Sequence, residues 1–111
     1  MHPSNALKAA ELEGWIKDDT VPAENIDTTL EERGAQYGKF ADGARIMQDL
    51  KLVMMETTGW ENLTSAQQEA LEMIAHKIGR ILNGNPNLRD HWHDVAGYST
   101  LIVKIIDGEN P

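Results

Sequence analysis

The chain has no cysteine and, in 111 residues, one phenylalanine, two tyrosines and four prolines. Without cysteine there is neither a disulfide framework nor a zinc–thiolate site. Stability must then come from burial and capping, and a reducing compartment is acceptable. No apolar run approaches the roughly 20 residues that span a bilayer. Met1-His2-Pro3-Ser4-Asn5 lacks the basic-then-apolar pattern of a signal peptide, so neither membrane insertion nor export is expected. Basic residues are scarce too: 10 Lys and Arg stand against 18 Asp and Glu, a net charge of −8. Such a surface repels duplex nucleic acid. A small anionic ligand would need a local cluster of Arg and Lys, or a metal.

What is present reads as helix. Hydrophobic content is 41% and charged content 25%, ordinary globular values that argue against wholesale disorder. Residues 7–18 carry a loose apolar stripe of Leu7, Ala10, Leu12, Trp15 and Ile16, weakened by Gly14. Pro22 breaks the connector that follows. Thr28-Thr29-Leu30-Glu31 has the form of a capping box for a short helix ending near Gly34. Residues 40–57 form an amphipathic helix with Phe40, Met47, Leu50, Val53 and Met54 on one arc. Gly59-Trp60-Glu61-Asn62 reads as a loop. Thr64 or Ser65 caps a long helix that stops at Asn83-Gly84-Asn85-Pro86. The last helix spans residues 88–106 and ends at Asp107-Gly108. The β-prone residues from Leu101 to Ile106 extend the stripe of Val95, Tyr98 and Ile102, so helix is preferred there. The expectation is an all-α bundle of about four to five helices. It divides into an N-terminal helix and connector (1–27) and a main helical domain (28–108), and completes its small core by forming a dimer or tetramer.

The chemistry concentrates late in the chain. On a wheel with Asp90 at zero, Asp94 falls at about 40° and Tyr98 at about 80°, among Leu101, Ile102, Ile105 and Ile106. A carboxylate on the core side must be paired, hydrogen-bonded, metal-bound or protonated. Asp94 is then either a structural buried acid or part of a ligand site. On the preceding helix, with Glu69 at zero, the apolar arc spans about 100° to 220°. Lys77 lies on its rim, the natural partner of Asp94, and serves either as a salt-bridge partner or as a phosphate-binding charge. Arg80 lies outside the arc. Glu69, Glu72 and His76 fall on the far side, where a solvated face is expected. Arg33-Gly34-Ala35-Gln36-Tyr37-Gly38 offers a phosphate-gripping arginine, a ring and two glycines; taken alone it reads as a helix junction with Tyr37 as a core plug. His91 and His93 lie about 160° apart and cannot share a metal. Trp60 and Trp92 read as core anchors.

In order and spacing, Arg33-Gly34-x-x-Tyr37-Gly38, Lys77-Ile78-x-Arg80-Ile81 and Asp90-x-x-x-Asp94-Val95-Ala96-Gly97-Tyr98 are similar to those of a group of small phage and prophage proteins. These resemble the MazG-like, all-α nucleoside triphosphate pyrophosphohydrolases over roughly residues 28–106. The resemblance implies magnesium held by acidic residues of two successive helices: Asp90 and Asp94 on the second, Glu69 and Glu72 on the first. It also implies Lys77, Arg80 and Arg33 on phosphate, and Tyr37, Gly38 or Tyr98 near base or sugar. The place of action would be the cytoplasm of a bacterial host. Three readings follow: a magnesium-dependent hydrolase, a nucleotide binder that sequesters a host-defence signal, and an acidic adaptor for a host protein. The wheel position of Glu69 and Glu72 departs from the enzyme's pattern.

Overall fold

The computed structural model describes residues 25–111. The helix expected over residues 7–18 and most of its connector lie outside them. Among the described residues the chain is all-helical with no strand, as expected. It comprises α1 (Ile26–Tyr37), α2 (Phe40–Met55), the single turn α3 (Thr58–Glu61), α4 (Ser65–Asn83) and α5 (Arg89–Ile106). No helix among them is long and apolar enough to cross a membrane. α4 is central, packed on one flank by α2 and on the other by α5.

The helix ends follow local chemistry. Thr64 accepts the Gln67 amide (3.2 Å) while the Gln67 side chain accepts the Thr64 amide (2.9 Å), a complete capping box. α4 ends at Gly84, as the Asn-Gly-Asn-Pro run predicts. The box expected from Thr28 to Glu31 does not form. α1 starts one residue after Asn25, and the Thr29 hydroxyl donates back to the Asn25 carbonyl (3.2 Å). Nor does α1 stop at Gly34. It runs to Tyr37, and the Gly34 carbonyl accepts the Gly38 amide at 2.8 Å. The expected loop at Gly59–Asn62 is instead mostly helical, because the Thr57 hydroxyl oxygen accepts the Trp60 amide and starts a turn.

The larger departure concerns sidedness. α2 buries Gly43, Met47 and Lys51, whereas Phe40 and Val53 of the expected inner arc are exposed. α4 buries Glu72, Ala75, His76, Gly79 and Arg80, whereas Leu71, Ile78 and Leu82 are exposed. Glu72 and His76 of the face expected to be wet are therefore inner, while Glu69 stays outside and Ala70 of the apolar arc is buried as expected. Shape explains part of this: Gly43 and Gly79 let the helices approach until a Cβ on Gly79 would lie 2.6 Å from Met47 Cγ. Trp92 is likewise no core anchor. It is 57% exposed, with its indole N–H donating to the Pro86 carbonyl at 2.8 Å.

Candidate functional site

A latch between the ends of α1 and α4 sets the geometry. The Asn83 side-chain amide donates to the carbonyls of Tyr37 and Lys39, both at 2.9 Å. The Asn85 amide donates to the Gln36 carbonyl at 2.7 Å. Gly38 takes φ +79°, in the left-handed region, and any Cβ there would collide with the Asn83 carbonyl. Gly84 similarly abuts the backbone of Gln36 and Tyr37. The latch drives Tyr37 inward. Its ring lies beneath Arg80, whose guanidinium carbon is 4.6 Å from the ring centroid. The same ring meets His91 at 5.2 Å between centroids, tilted by 53°. Tyr37 is thus a core plug that seats Arg80, its ring too buried to stack on a ligand.

Around this stack runs a band of charge. Lys51, Glu72, His76, Arg80 and His91 are all buried. Burial pushes the His76 imidazole down to about 4, and Lys51, Arg80 and Lys77 push the same way. Burial also lowers His91; Arg80 and Lys77 add to this, and Asp94 and Asp90 oppose it. Both imidazoles are therefore neutral at pH 7. Burial raises the Glu72 carboxyl, with Lys51 opposing and Glu69 adding. The Nε2 of His91 is buried and finds no hydrogen-bond partner among the described residues, a cost that a ligand's polar atom would relieve.

At the α4–α5 seam the band reaches the surface. Lys77 Nζ lies 2.9 Å from Asp94 Oδ2, with the Lys77 side chain 12% exposed and that of Asp94 40%. The two helix wheels anticipated this pair. Asp94 and Tyr98 border an open hollow of about 520 Å³ lined wholly by α5, with His93, Gly97, Thr100 and Lys104 but not Lys77. Burial raises the Tyr98 hydroxyl, Asp94 and Glu69 raise it further, and Arg80 opposes. Charges of α4 and α5 thus act on a common phenol.

Not everything expected to converge does so. Asp90 and Glu69 are exposed, and Arg33 is half-buried on α1. Among the described residues no three of His, Cys, Asp or Glu come together as metal ligands. The band also includes three side chains the sequence did not single out as site residues: Lys51, His76 and His91. For His91 a signal existed, since it lies only about 20° from Tyr98 on the α5 wheel.

Residues 23–106 match the family described as "Domain of unknown function (DUF6378)", and the chain belongs to that family. No curated protein matches the chain. No solved structure matches it either.

Proposed function

We propose that this chain binds a nucleotide in the cavity beside the Lys77–Asp94 pair and holds it without cleaving it. The observation that carries this reading is the pair itself. A carboxylate whose Oδ2 is engaged by an ammonium at 2.9 Å attracts magnesium less, and the pair offers a donor beside an acceptor, with Asp94 at the edge of the hollow. At about 520 Å³ that cavity falls within the range of small-molecule sites, roughly 300–1,000 Å³. Lys77 and Lys104 supply charge for phosphate, Asp94 accepts from a base or ribose, and the half-buried Tyr98 supplies a ring edge. A phage-type protein of this kind would withdraw a nucleotide signal from its host. The reading includes self-association, supported by the exposed Leu71, Ile78 and Leu82.

A second reading is favoured by one specific observation: Glu69 and Asp94, from different helices, both act on the Tyr98 hydroxyl. In a MazG-like hydrolase these carboxylates, with Glu72 and Asp90, would hold magnesium once Asp94 left Lys77. The ion would keep waters and substrate phosphates as its other ligands.

Calorimetric titration with a panel of nucleoside mono-, di- and triphosphates and cyclic nucleotides, with and without magnesium, tests both. The expected result is binding of at least one nucleotide, its recovery intact, and a loss of affinity of about tenfold or more in Asp94→Asn with little change in melting temperature. Magnesium-dependent release of pyrophosphate would establish the second reading instead. Absence of binding at millimolar nucleotide would overturn both.

A further inference from the structure

Asn83-Gly84 is the one asparagine–glycine step in the chain. Asparagine is chemically labile. It is most so before glycine, where no Cβ shields the following backbone nitrogen from the side chain. The latch encloses this step on every side. Both N–H bonds of the Asn83 side-chain amide are engaged, one by the Tyr37 carbonyl and one by that of Lys39. The amide nitrogen is packed so closely that a Cβ on Gly38 would lie 2.7 Å from it and one on Gly43 3.0 Å. The attacking group is engaged as well, since the Gly84 N–H donates to the Arg80 carbonyl at 3.0 Å. Asn83 is also the last residue of α4. A cyclic imide needs the following nitrogen eclipsed with Cβ, and a helical ψ holds the two apart.

We propose that Asn83 is a modification site whose chemistry reads the state of the latch. While the latch is closed, Asn83 keeps its amide; when the latch opens, Asn83 deamidates. The Gly84 nitrogen gives its proton to hydroxide and bonds to Asn83 Cγ. The Cγ–Nδ2 bond then breaks and ammonia leaves, its last proton supplied by water, which restores the hydroxide. A further water opens the imide at either carbonyl, leaving aspartate or isoaspartate. The net reaction takes up one water and releases one ammonia, and needs no other reagent.

Refolding does not undo the step. In the aspartate product a carboxylate oxygen faces the two carbonyls that had accepted N–H bonds at 2.9 Å, acceptor against acceptor. Isoaspartate lengthens the backbone by a methylene where Gly84 already abuts Gln36 and Tyr37. A modified chain therefore loses the seat of Tyr37, and with it the ring beneath Arg80. The modified fraction records how long the latch has stood open. No ligand enters this inference, so it stands or falls separately from the nucleotide reading.

The test follows the full chain in mildly alkaline buffer beside a synthetic peptide of residues 80–87, with mass spectrometry to map the converted asparagine. The native chain should convert Asn83 about tenfold or more slowly than the peptide, and urea should remove the difference. Native and peptide rates within about twofold of each other overturn the proposal. Gly38→Ala wedges the joint, because its Cβ collides with the Asn83 carbonyl. It should speed conversion at Asn83 by about tenfold while circular dichroism shows the helices retained. Gly43→Ala, whose Cβ presses on Asn83 Nδ2 at 3.0 Å, is the milder wedge and should act in the same direction. An unchanged rate in a folded wedge variant overturns shielding by the latch. Asn83→Asp mimics one product and should lower the melting temperature by about 8 °C or more. A melting temperature within about 2 °C of the wild type would show that the latch accepts a carboxylate, which overturns the proposal that deamidation is irreversible for the fold.

Discussion

The two flanks of α4 are built on opposite principles. Toward α2 it presents Glu72, His76, Gly79 and Arg80, and buries them. Away from both neighbours it presents Leu71, Ile78 and Leu82, and exposes them. A helix normally turns its apolar stripe to the core because each buried aliphatic side chain is worth about 1.5–3 kcal/mol. Here the contact with α2 is made with charged groups and glycine, and Leu71, Ile78 and Leu82 stay exposed. The contrast teaches that amphipathicity locates a stripe but does not say which molecule covers it. It also teaches that a buried charged flank is weak as a source of stability.

The sharpest way to break the contrast is to remove charge from the inner flank. Glu72→Ala leaves the buried Lys51 without the nearby charge of Glu72, and should lower the unfolding free energy by about 1–3 kcal/mol. Urea denaturation measures this, and a loss below about 1 kcal/mol would show that water reaches the band.

Acidification should have the next largest effect. His76 has a folded pKa of about 4, below its ordinary 6.5, so between these values the unfolded chain binds a proton that the native chain does not. Its contribution is complete above pH 6.5 and is lost as pH falls toward 4. His91, also lowered, acts in the same direction. Glu72 acts oppositely: its raised pKa means the native state takes up a proton first, which favours folding as pH drops toward 4.5. His76 carries the large shift, so stability is expected to fall from pH 6.5 to about 4. His76→Gln should flatten most of that slope in thermal melts across the range.

Thr64→Ala offers a calibration, because its capping box belongs to neither flank. It should cost about 1 kcal/mol in urea denaturation.

The sequence made some of this legible. The stop at Asn83-Gly84 and the cap at Thr64 depend on a few adjacent residues, and both are found where local rules put them. The Lys77–Asp94 pair was legible because two wheels suffice to bring two rims together. The orientation of α4 was not, since deciding which arc faces inward assumes that one chain buries its own apolar surface. His76 was missed for the same reason, since it lies opposite the apolar arc of its helix; Lys51 borders the arc of its own, about 20° from Phe40, where a lysine reads as a rim residue. The role of Tyr37 depended on the Asn83 bonds, which join residues 46 apart and leave no local trace.

Those bonds have a consequence for how the molecule assembles. They close a loop that encloses α2, α3 and nearly all of α4. Closing a loop of that length costs on the order of 3 kcal/mol in chain entropy, which no one of these hydrogen bonds repays. The joint must therefore form as a unit, glycines, asparagines and buried ring together. Arg80 acquires its platform, and the charged band its end wall, only in chains that have completed the whole circuit. Partly folded chains hold no part of the Tyr37–Arg80–His91 stack, so its integrity and the cooperativity of folding are one property.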